Sequence, residues 1–332
     1  MVAISFIFLI LFQNILETAV ALTTPAQKLK TLIQKSRDRP ILLPGVHDAL
    51  SASIFHQAGG VECLFLSGFG VSASYLGQPD AGILTLNEME DMARRLVNAV
   101  DGQIPVIVDG DTGFGGCHNL RRQIRGFARA GAACISIEDQ VFPKKCTYIQ
   151  GDKGSNVVSR ESSMARVRTA LAAAKEAFEK DGNEVLIIAR TDSRAQLGLE
   201  EATRRCREYE TLGADIVYAE NLQSPEEYQQ LRSAISPEIP MILAQVQLND
   251  PHKPQVLYSL PEIHELGYNF ALMGVTALQA QVQALQNAAT NMLENHGLVP
   301  PEKSGSLASF STLKRVVGYE DLEDFEGKYY CE

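Results

Sequence analysis

The chain has no tryptophan, no Asn-x-Ser/Thr sequon, and no CxxC or Cys/His cluster of the kind that builds a zinc site. Its six cysteines, at positions 63, 117, 134, 146, 206 and 331, are scattered. A disulfide framework is therefore not expected in a chain of 332 residues. The missing sequon removes one support for an extracellular destination. Positive charge is also short: 30 Lys+Arg stand against 40 Asp+Glu, a net −10. Nucleic-acid binding runs on Lys/Arg displacing counterions, so a nucleic acid is not the expected partner. Small acidic metabolites remain open, because an acidic protein can bind anions locally. No turn reads G-x-G-x-x-G or G-x-x-x-x-G-K-[ST], which argues against a nucleotide-phosphate cradle.

What is present is globular in composition, 45% hydrophobic and 21% charged. Residues 4–12 are apolar but too short for a membrane span, which needs ~20 residues. They fit the core of a signal peptide, with Ala19-Val20-Ala21 as a small-x-small cleavage site, although no Lys or Arg precedes them. No Arg precedes Arg37, which disfavours a mitochondrial transit peptide. Residues 1–21 are therefore read as a targeting segment, with no stable membrane span after processing. The expected destination is the secretory pathway or an organelle, with mitochondrion and cytoplasm as alternatives.

From Thr24 onward, short apolar runs alternate with amphipathic stretches. The runs cover 41–43, 61–66, 104–108, 132–137, 185–189, 214–219, 239–244 and 269–273. Each is rich in β-branched residues or Leu and bounded by turn residues, the pattern of a strand buried on both faces. Helical stretches cover 88–100, 120–130, 162–180, 199–212 and 224–233, and Gly131 and Gly213 follow two of them as stop signals. Eight such strands separated by helices predict an α/β fold, a closed (β/α)8 TIM barrel over residues 22–298. A doubly wound sheet is the alternative. A helix over 276–296, a Pro-Pro break at 300–301 and a short helix around 309–317 follow, the last within a tail of residues 299–332 that packs on its own barrel or on a neighbour.

Barrel enzymes carry their chemistry at the C-terminal strand ends. Here those ends are acidic: Asp109-Gly110-Asp111 after the third run, Glu138-Asp139 after the fourth, Arg190-Thr191-Asp192 after the fifth and Glu220 after the sixth. Asp109 and Asp111, two apart, face the same side of an extended segment. Close carboxylates repel unless neutralised, and an oxygen-only set with Glu138 nearby suits Mg²⁺, with Mn²⁺ as the alternative, better than Zn²⁺. The competing reading makes the aspartates ordinary turn caps. Arg190 ends an apolar run, where a guanidinium needs an anion; that anion is either a substrate carboxylate or Asp192 or Glu220 in a structural ion pair. Ser67-Gly68 lets backbone N–H groups approach an anion, or marks an ordinary turn. The polar stretch 143–159 is a lid candidate. Its Cys146 follows Lys144 and Lys145, whose charge favours a reactive thiol; otherwise it is an incidental loop cysteine.

Several strings occur together: Pro44-Gly45-Val46-His47-Asp48-Ala49, Ser67-Gly68, Gly77-Gln78-Pro79-Asp80, Val108-Asp109-Gly110-Asp111-Thr112-Gly113, Ile137-Glu138-Asp139-Gln140, Lys144-Lys145-Cys146 and Ala189-Arg190-Thr191-Asp192. In this order the chain resembles the isocitrate lyase/phosphoenolpyruvate mutase superfamily, and within it the methylisocitrate lyase-like and carboxyvinyl-carboxyphosphonate phosphorylmutase-like branch. The resemblance implies Mg²⁺ surrounded by Asp80, Asp109, Asp111 and Glu138. It also implies a substrate carboxylate bound by Ser67, Gly68 and Arg190, and a homotetramer with exchanged C-terminal helices. Lyase branches carry Lys-Lys/Arg-Cys-Gly-His on the lid; here Thr147 and Tyr148 replace the last two. After the seventh strand, Gln245 stands where related lyases often carry Asn. Mutase and oxaloacetate decarboxylase branches typically lack the cysteine.

The expected activity is Mg²⁺-dependent carbon–carbon cleavage of a 2-hydroxy di- or tricarboxylate: methylisocitrate, isocitrate or a 2-alkylmalate. The products are an α-keto acid and a dicarboxylate. Cys146, Lys144 and Arg190 are the expected catalytic residues, with Cys146 protonating the carbanion. Ser67, Gly68, Arg190, Glu220 and Gln245 are the expected substrate contacts. Tyr148 or a metal-bound water is the candidate base. The rival readings are oxaloacetate decarboxylation or hydrolysis, phosphonopyruvate chemistry, and a barrel that binds Mg²⁺ and a dicarboxylate without turnover.

Overall fold

The computed structural model describes residues 23–147, 156–249, 256–300 and 307–330. Residues 1–21, expected to be a targeting segment, and Tyr148 lie outside the described residues. No helix among the described residues is long and apolar enough to cross a membrane.

Eight parallel strands form the centre: β1 (Ile41–Val46), β2 (Leu64–Leu66), β3 (Val106–Asp109), β4 (Cys134–Ile137), β5 (Leu186–Thr191), β6 (Ile216–Ala219), β7 (Ile242–Gln245) and β8 (Phe270–Met273). The pairing order is β6-β5-β4-β3-β2-β1-β8-β7. The last seam is closed by the Val217–Met241 bridge, where the Val217 N–H donates to the Pro240 carbonyl at 3.2 Å. The expected (β/α)8 barrel is the observed fold, and all eight predicted runs form strands.

Alternation decides which side chains line the barrel. Ile41, Leu43, Phe65, Ile107, Cys134, Leu186, Ile188, Ile216, Tyr218, Ile242, Phe270 and Leu272 pack into one buried cluster. The helix Pro25–Lys35 plugs its lower end with Ala26, Leu29 and Leu32. The alternate residues, such as Leu64, Val108, Ile135 and Ile187, pack outward against the helical ring.

The helices begin and end where local chemistry dictates. Thr85 and Glu88 form a reciprocal capping box at the start of Leu86–Ala99. Gly131 and Gly213 take φ of +92° and +91° where helices stop, a conformation that costs an L side chain. The tail holds a helix Phe310–Val316, near the expected 309–317, and a further helix Tyr319–Tyr329 that sequence reading did not foresee. Gly318, at φ +78°, separates the two. The Gln57 carboxamide on the helix Ala49–Gln57 donates to the Val316 carbonyl at 3.1 Å, so this tail touches its own barrel.

Candidate active site

Following the inward parity through the strand ends and the residues just past them gives Ser67, Asp109, Asp111, Glu138, Arg190, Asp192 and Glu220, and all except Arg190 are almost fully buried. The turn after β3 shapes the aspartate pair. A Cβ on Gly110 would stand 2.6 Å from the Ser136 carbonyl and 2.7 Å from the Gln123 amide, so only glycine fits. The Gln123 amide donates to the Gly110 carbonyl at 2.7 Å, and Asp111 adopts φ +48°. A Cβ on Gly68 would lie 3.1 Å from both Asp109 Oδ2 and Asp111 Oδ1. The anion met by the Gly68 N–H is the Asp109 carboxylate, at 3.2 Å, while Ser67 Oγ accepts from the Gly70 N–H.

Lys144 completes this cluster. Its ammonium lies 2.7 Å from Asp80 Oδ1 and 2.5 Å from Asp111 Oδ1, and all three residues are buried. Burial pushes the Asp111 carboxyl up to about 7, with Lys144 opposing the rise and Asp109 and Asp80 adding to it. Burial likewise holds Glu138 well above the usual carboxylate range, against the pull of Arg190. Burial alone would discharge Lys144, but Asp111, Asp80, Glu138 and Asp109 together raise its pKa well above the ordinary value. Lys144, expected to favour a reactive thiol at Cys146, is also the counter-charge of the carboxylates.

Among the described residues, no three His, Cys, Asp or Glu side chains stand arranged as a metal cage. The expected set Asp80, Asp109, Asp111 and Glu138 does share one site, but Lys144 supplies the positive charge there. A buried carboxylate group needs a cation, and the nearest one is a side chain. The donor chemistry nevertheless fits a hard divalent ion. The set is oxygen-only, and Glu138 Oε1 is buried without a hydrogen-bond partner.

Arg190 is surrounded by protein carboxylates. Its Nε and Nη2 donate to Asp192 at 3.1 and 2.7 Å, a bidentate pair. Nη2 also lies 3.4 Å from Glu220 and 3.6 Å from Glu138, and the guanidinium stands 5.3 Å over the Tyr218 ring. Burial works against its charge, and Asp192, Glu138 and Glu220 more than offset that, so Arg190 stays cationic. The Tyr218 hydroxyl donates to Glu220.

A cavity of about 550 Å³ opens over this cluster. Cys146 lines it together with Ser67, Asp80, Asp109, Glu138 and Arg190, and Gln245 lines its far side. The Cys146 N–H donates to the Asp80 carbonyl at 3.3 Å, which seats the thiol segment beside the carboxylates. Gln245, expected as a substrate contact, is held by the backbone of Tyr258. Its amide donates to the Tyr258 carbonyl at 2.9 Å and accepts from the Tyr258 N–H at 2.6 Å, so both ends of the carboxamide are engaged. Gln245 follows Ala244 by one, and Ala244 and Ile242 have the inward parity, which turns Gln245 aside.

The residues alone place Asp139 at a strand end without a role, and leave Arg205 unmarked. The Asp139 carboxylate accepts from the Asp192 N–H at 2.8 Å, the Thr191 hydroxyl at 2.6 Å and Arg205 Nη1 at 2.8 Å. Arg205 lies on the helix Leu199–Leu212 and also donates to the Val158 carbonyl at 3.0 Å. Arg205 shares the buried face of that helix with Ala202, Cys206 and Tyr209.

Comparison with known proteins follows the same outline. The profile of the family described as phosphoenolpyruvate phosphomutase matches residues 29–293. The 2,3-dimethylmalate lyase of Eubacterium barkeri is 32% identical over 304 residues, covering 92% of this chain and 98% of that protein. The solved structure of oxaloacetate acetylhydrolase with the inhibitor 3,3-difluorooxalacetate superposes with a TM-score of 0.82 at 29% identity, covering 93% of this chain and 98% of the other. Phosphonopyruvate hydrolase, solved with oxalate and Mg²⁺, superposes with a TM-score of 0.76 at 28% identity, covering 93% and 100%.

Proposed function

This chain belongs to the phosphoenolpyruvate phosphomutase family, and from that premise we propose that it is a carbon–carbon lyase acting on a 2-hydroxy carboxylate that bears at least one further carboxylate. The products are an α-keto acid and a second carboxylate. The observation that carries this reading is Cys146, a thiol on the wall of the same cavity as Asp80, Asp109, Glu138 and Arg190. Retro-aldol cleavage leaves a carbanion beside the second carboxylate, and Cys146 lines the cavity where that carbon would lie.

Asp80, Asp109, Asp111 and Glu138 are the residues that would hold Mg²⁺, with Mn²⁺ as the alternative. When bound, the ion acidifies the substrate hydroxyl and offsets the carboxylate charge. Ser67, Gly68 and Arg190 orient the carboxylate next to that hydroxyl. Once the hydroxyl proton has passed to a base, for which Tyr148 is a candidate, the C2–O⁻ becomes the C=O of the α-keto acid, the bond between C2 and C3 breaks and its electron pair passes to the carbon beside the other carboxylate. Cys146 donates its Sγ proton to that carbon. Lys144 offsets part of the charge of the acidic cluster, and Tyr218 holds Glu220 by a hydrogen bond. The assembly we propose is a homotetramer with exchanged C-terminal helices, supported by the exposed Phe310, Leu322 and Phe325.

The test is α-keto acid release from methylisocitrate, isocitrate, 2-alkylmalates and oxaloacetate, with Mg²⁺ and with EDTA, in wild type and Cys146→Ser. Metal-dependent cleavage of a hydroxy acid, reduced at least ~10²-fold in the variant, supports the lyase. The fold's likeness to oxaloacetate acetylhydrolase favours a second reading. Turnover of oxaloacetate alone, unchanged by Cys146→Ser, sinks the lyase and establishes that alternative. Binding without product from any substrate supports a non-enzymatic barrel.

A further inference from the structure

The segment that carries the thiol is tied down beside the acidic cluster. The Lys144 ammonium meets Asp80 and Asp111, and the Cys146 N–H donates to the Asp80 carbonyl. Between these contacts, the Lys145 N–H donates to Gln140 Oε1 at 3.0 Å. The contacts of Lys144 and Cys146 run to residues expected at the metal. The Gln140 contact is neutral and runs to a side chain outside that set. Gln140 is 2% exposed and lines the same cavity as Cys146. Its main chain is fixed on both sides. Arg166 Nη1, on the helix Arg160–Asp181, donates to the Glu138 carbonyl at 2.6 Å and to the Gln140 carbonyl at 3.0 Å. Gln140 also bridges Val157, and next to that bridge the Val141 N–H donates to the Asn156 carbonyl at 2.8 Å and the Val158 N–H to the Asp139 carbonyl at 2.9 Å.

We propose that Gln140 is a positioning residue, whose carboxamide oxygen latches the Lys144-Lys145-Cys146 segment and so sets where the Cys146 thiol stands in the cavity. The consequence for catalysis rests on the lyase reading; the latch does not. A proton donor must stand within hydrogen-bond reach of the atom it protonates. A displacement of about 1 Å can cost on the order of 10²-fold in rate. Asp80 and Asp111 would also hold Mg²⁺, so the contacts made to them answer to the charge in the cluster. The bond to Gln140 does not, and its post is anchored by Arg166 and the Val157 bridge. The donor is a backbone N–H, so the carboxamide must turn its oxygen to Lys145. Met has the reach of Gln but not its acceptor. Glu keeps an acceptor oxygen whether or not it is protonated.

The experiment is iodoacetamide alkylation of the full chain, followed thiol by thiol by peptide mass spectrometry, together with steady-state kinetics on the hydroxy acid that the chain cleaves. Exposed Cys117 is the internal reference, and buried Cys63, Cys134 and Cys206 report on the core. Gln140→Met leaves the Lys145 N–H without its acceptor. It is expected to raise the Cys146 alkylation rate about five- to tenfold, the effect of one lost hydrogen bond. Cys117 keeps its rate and the buried thiols stay protected. kcat is expected to fall at least about tenfold while KM stays within about twofold. Gln140→Glu returns both readouts toward wild type. An unchanged Cys146 rate in Gln140→Met, no recovery in Gln140→Glu, or a raised KM at unchanged kcat overturns the proposal. A parallel gain at the buried thiols also overturns it, because Gln140 would then support the barrel and not the thiol. If no substrate is cleaved but the alkylation pattern holds, the lyase reading fails and the latch stands.

Discussion

Arg205 Nη1 lies 2.8 Å from Asp139 Oδ2, and both side chains are buried. The pair ties the helix Leu199–Leu212 to the end of β5, because Asp139 also accepts the Asp192 N–H and Asp192 holds Arg190. Removing one partner of a buried pair leaves the other charge unpaired in the interior. Arg205→Met is expected to lose about 3–5 kcal/mol of stability by denaturant unfolding. The double variant Arg205→Met/Asp139→Asn should recover part of that loss. Equal stability of the wild type and the single variant would show that the pair holds nothing.

Lys144 makes a second prediction, about metal. With Lys144→Met, Asp80 and Asp111 lose the ammonium at 2.7 and 2.5 Å. In EDTA the variant should unfold at markedly lower temperature than wild type, by the equivalent of about 3–5 kcal/mol. Added Mg²⁺ should raise its Tm more than it raises that of wild type. Calorimetry of both proteins with and without the ion checks this, and an equal Tm gain in the two refutes it.

Asp192 sets a pH dependence. Burial pushes its carboxyl from 3.8 up to about 6, with Arg190 opposing. A carboxyl raised on folding binds its proton more tightly in the native state. Its contribution to stability is therefore complete below its ordinary range and is lost as pH rises through about 6. Wild type should lose on the order of 2 kcal/mol relative to Asp192→Asn between pH 4 and 7. Parallel stability curves for the two proteins would contradict this assignment.

Gly110 has no room for a side chain. Its Cβ would meet the Ser136 carbonyl at 2.6 Å, and strand backbone cannot step aside. Gly110→Ala is expected to cost about 2–3 kcal/mol and to displace Asp109 and Asp111. Equilibrium unfolding and Mg²⁺ binding read the two effects separately. An alanine variant with unchanged stability and Mg²⁺ affinity would show that the turn is looser than this contact implies.

Much of the barrel and its acidic mouth is legible in the residues because both depend on local order. A buried parallel strand is a short apolar run, and its inward residues recur every second position. Asp109, Glu138, Arg190 and Glu220 could be placed at the site from that period and the strand ends alone. Arg205 could not, since in the string Arg204-Arg205-Cys206-Arg207-Glu208 nothing marks which arginine turns inward. The helix Tyr319–Tyr329 also escaped, although Tyr319, Leu322, Phe325 and Tyr329 recur at helical spacing; none of its residues is buried.

The sequence by itself determined the eight-strand alternation, the acidic strand ends and the thiol that follows two lysines, since each is a property of neighbours along the chain. Only the tertiary structure decided who pairs with whom. Lys144 meets Asp80 and Asp111, Arg190 meets Asp192, and Gln245 meets the Tyr258 backbone. Those choices follow from desolvation: once barrel closure takes these groups out of water, each must bond to whatever complementary group the fold has brought within reach.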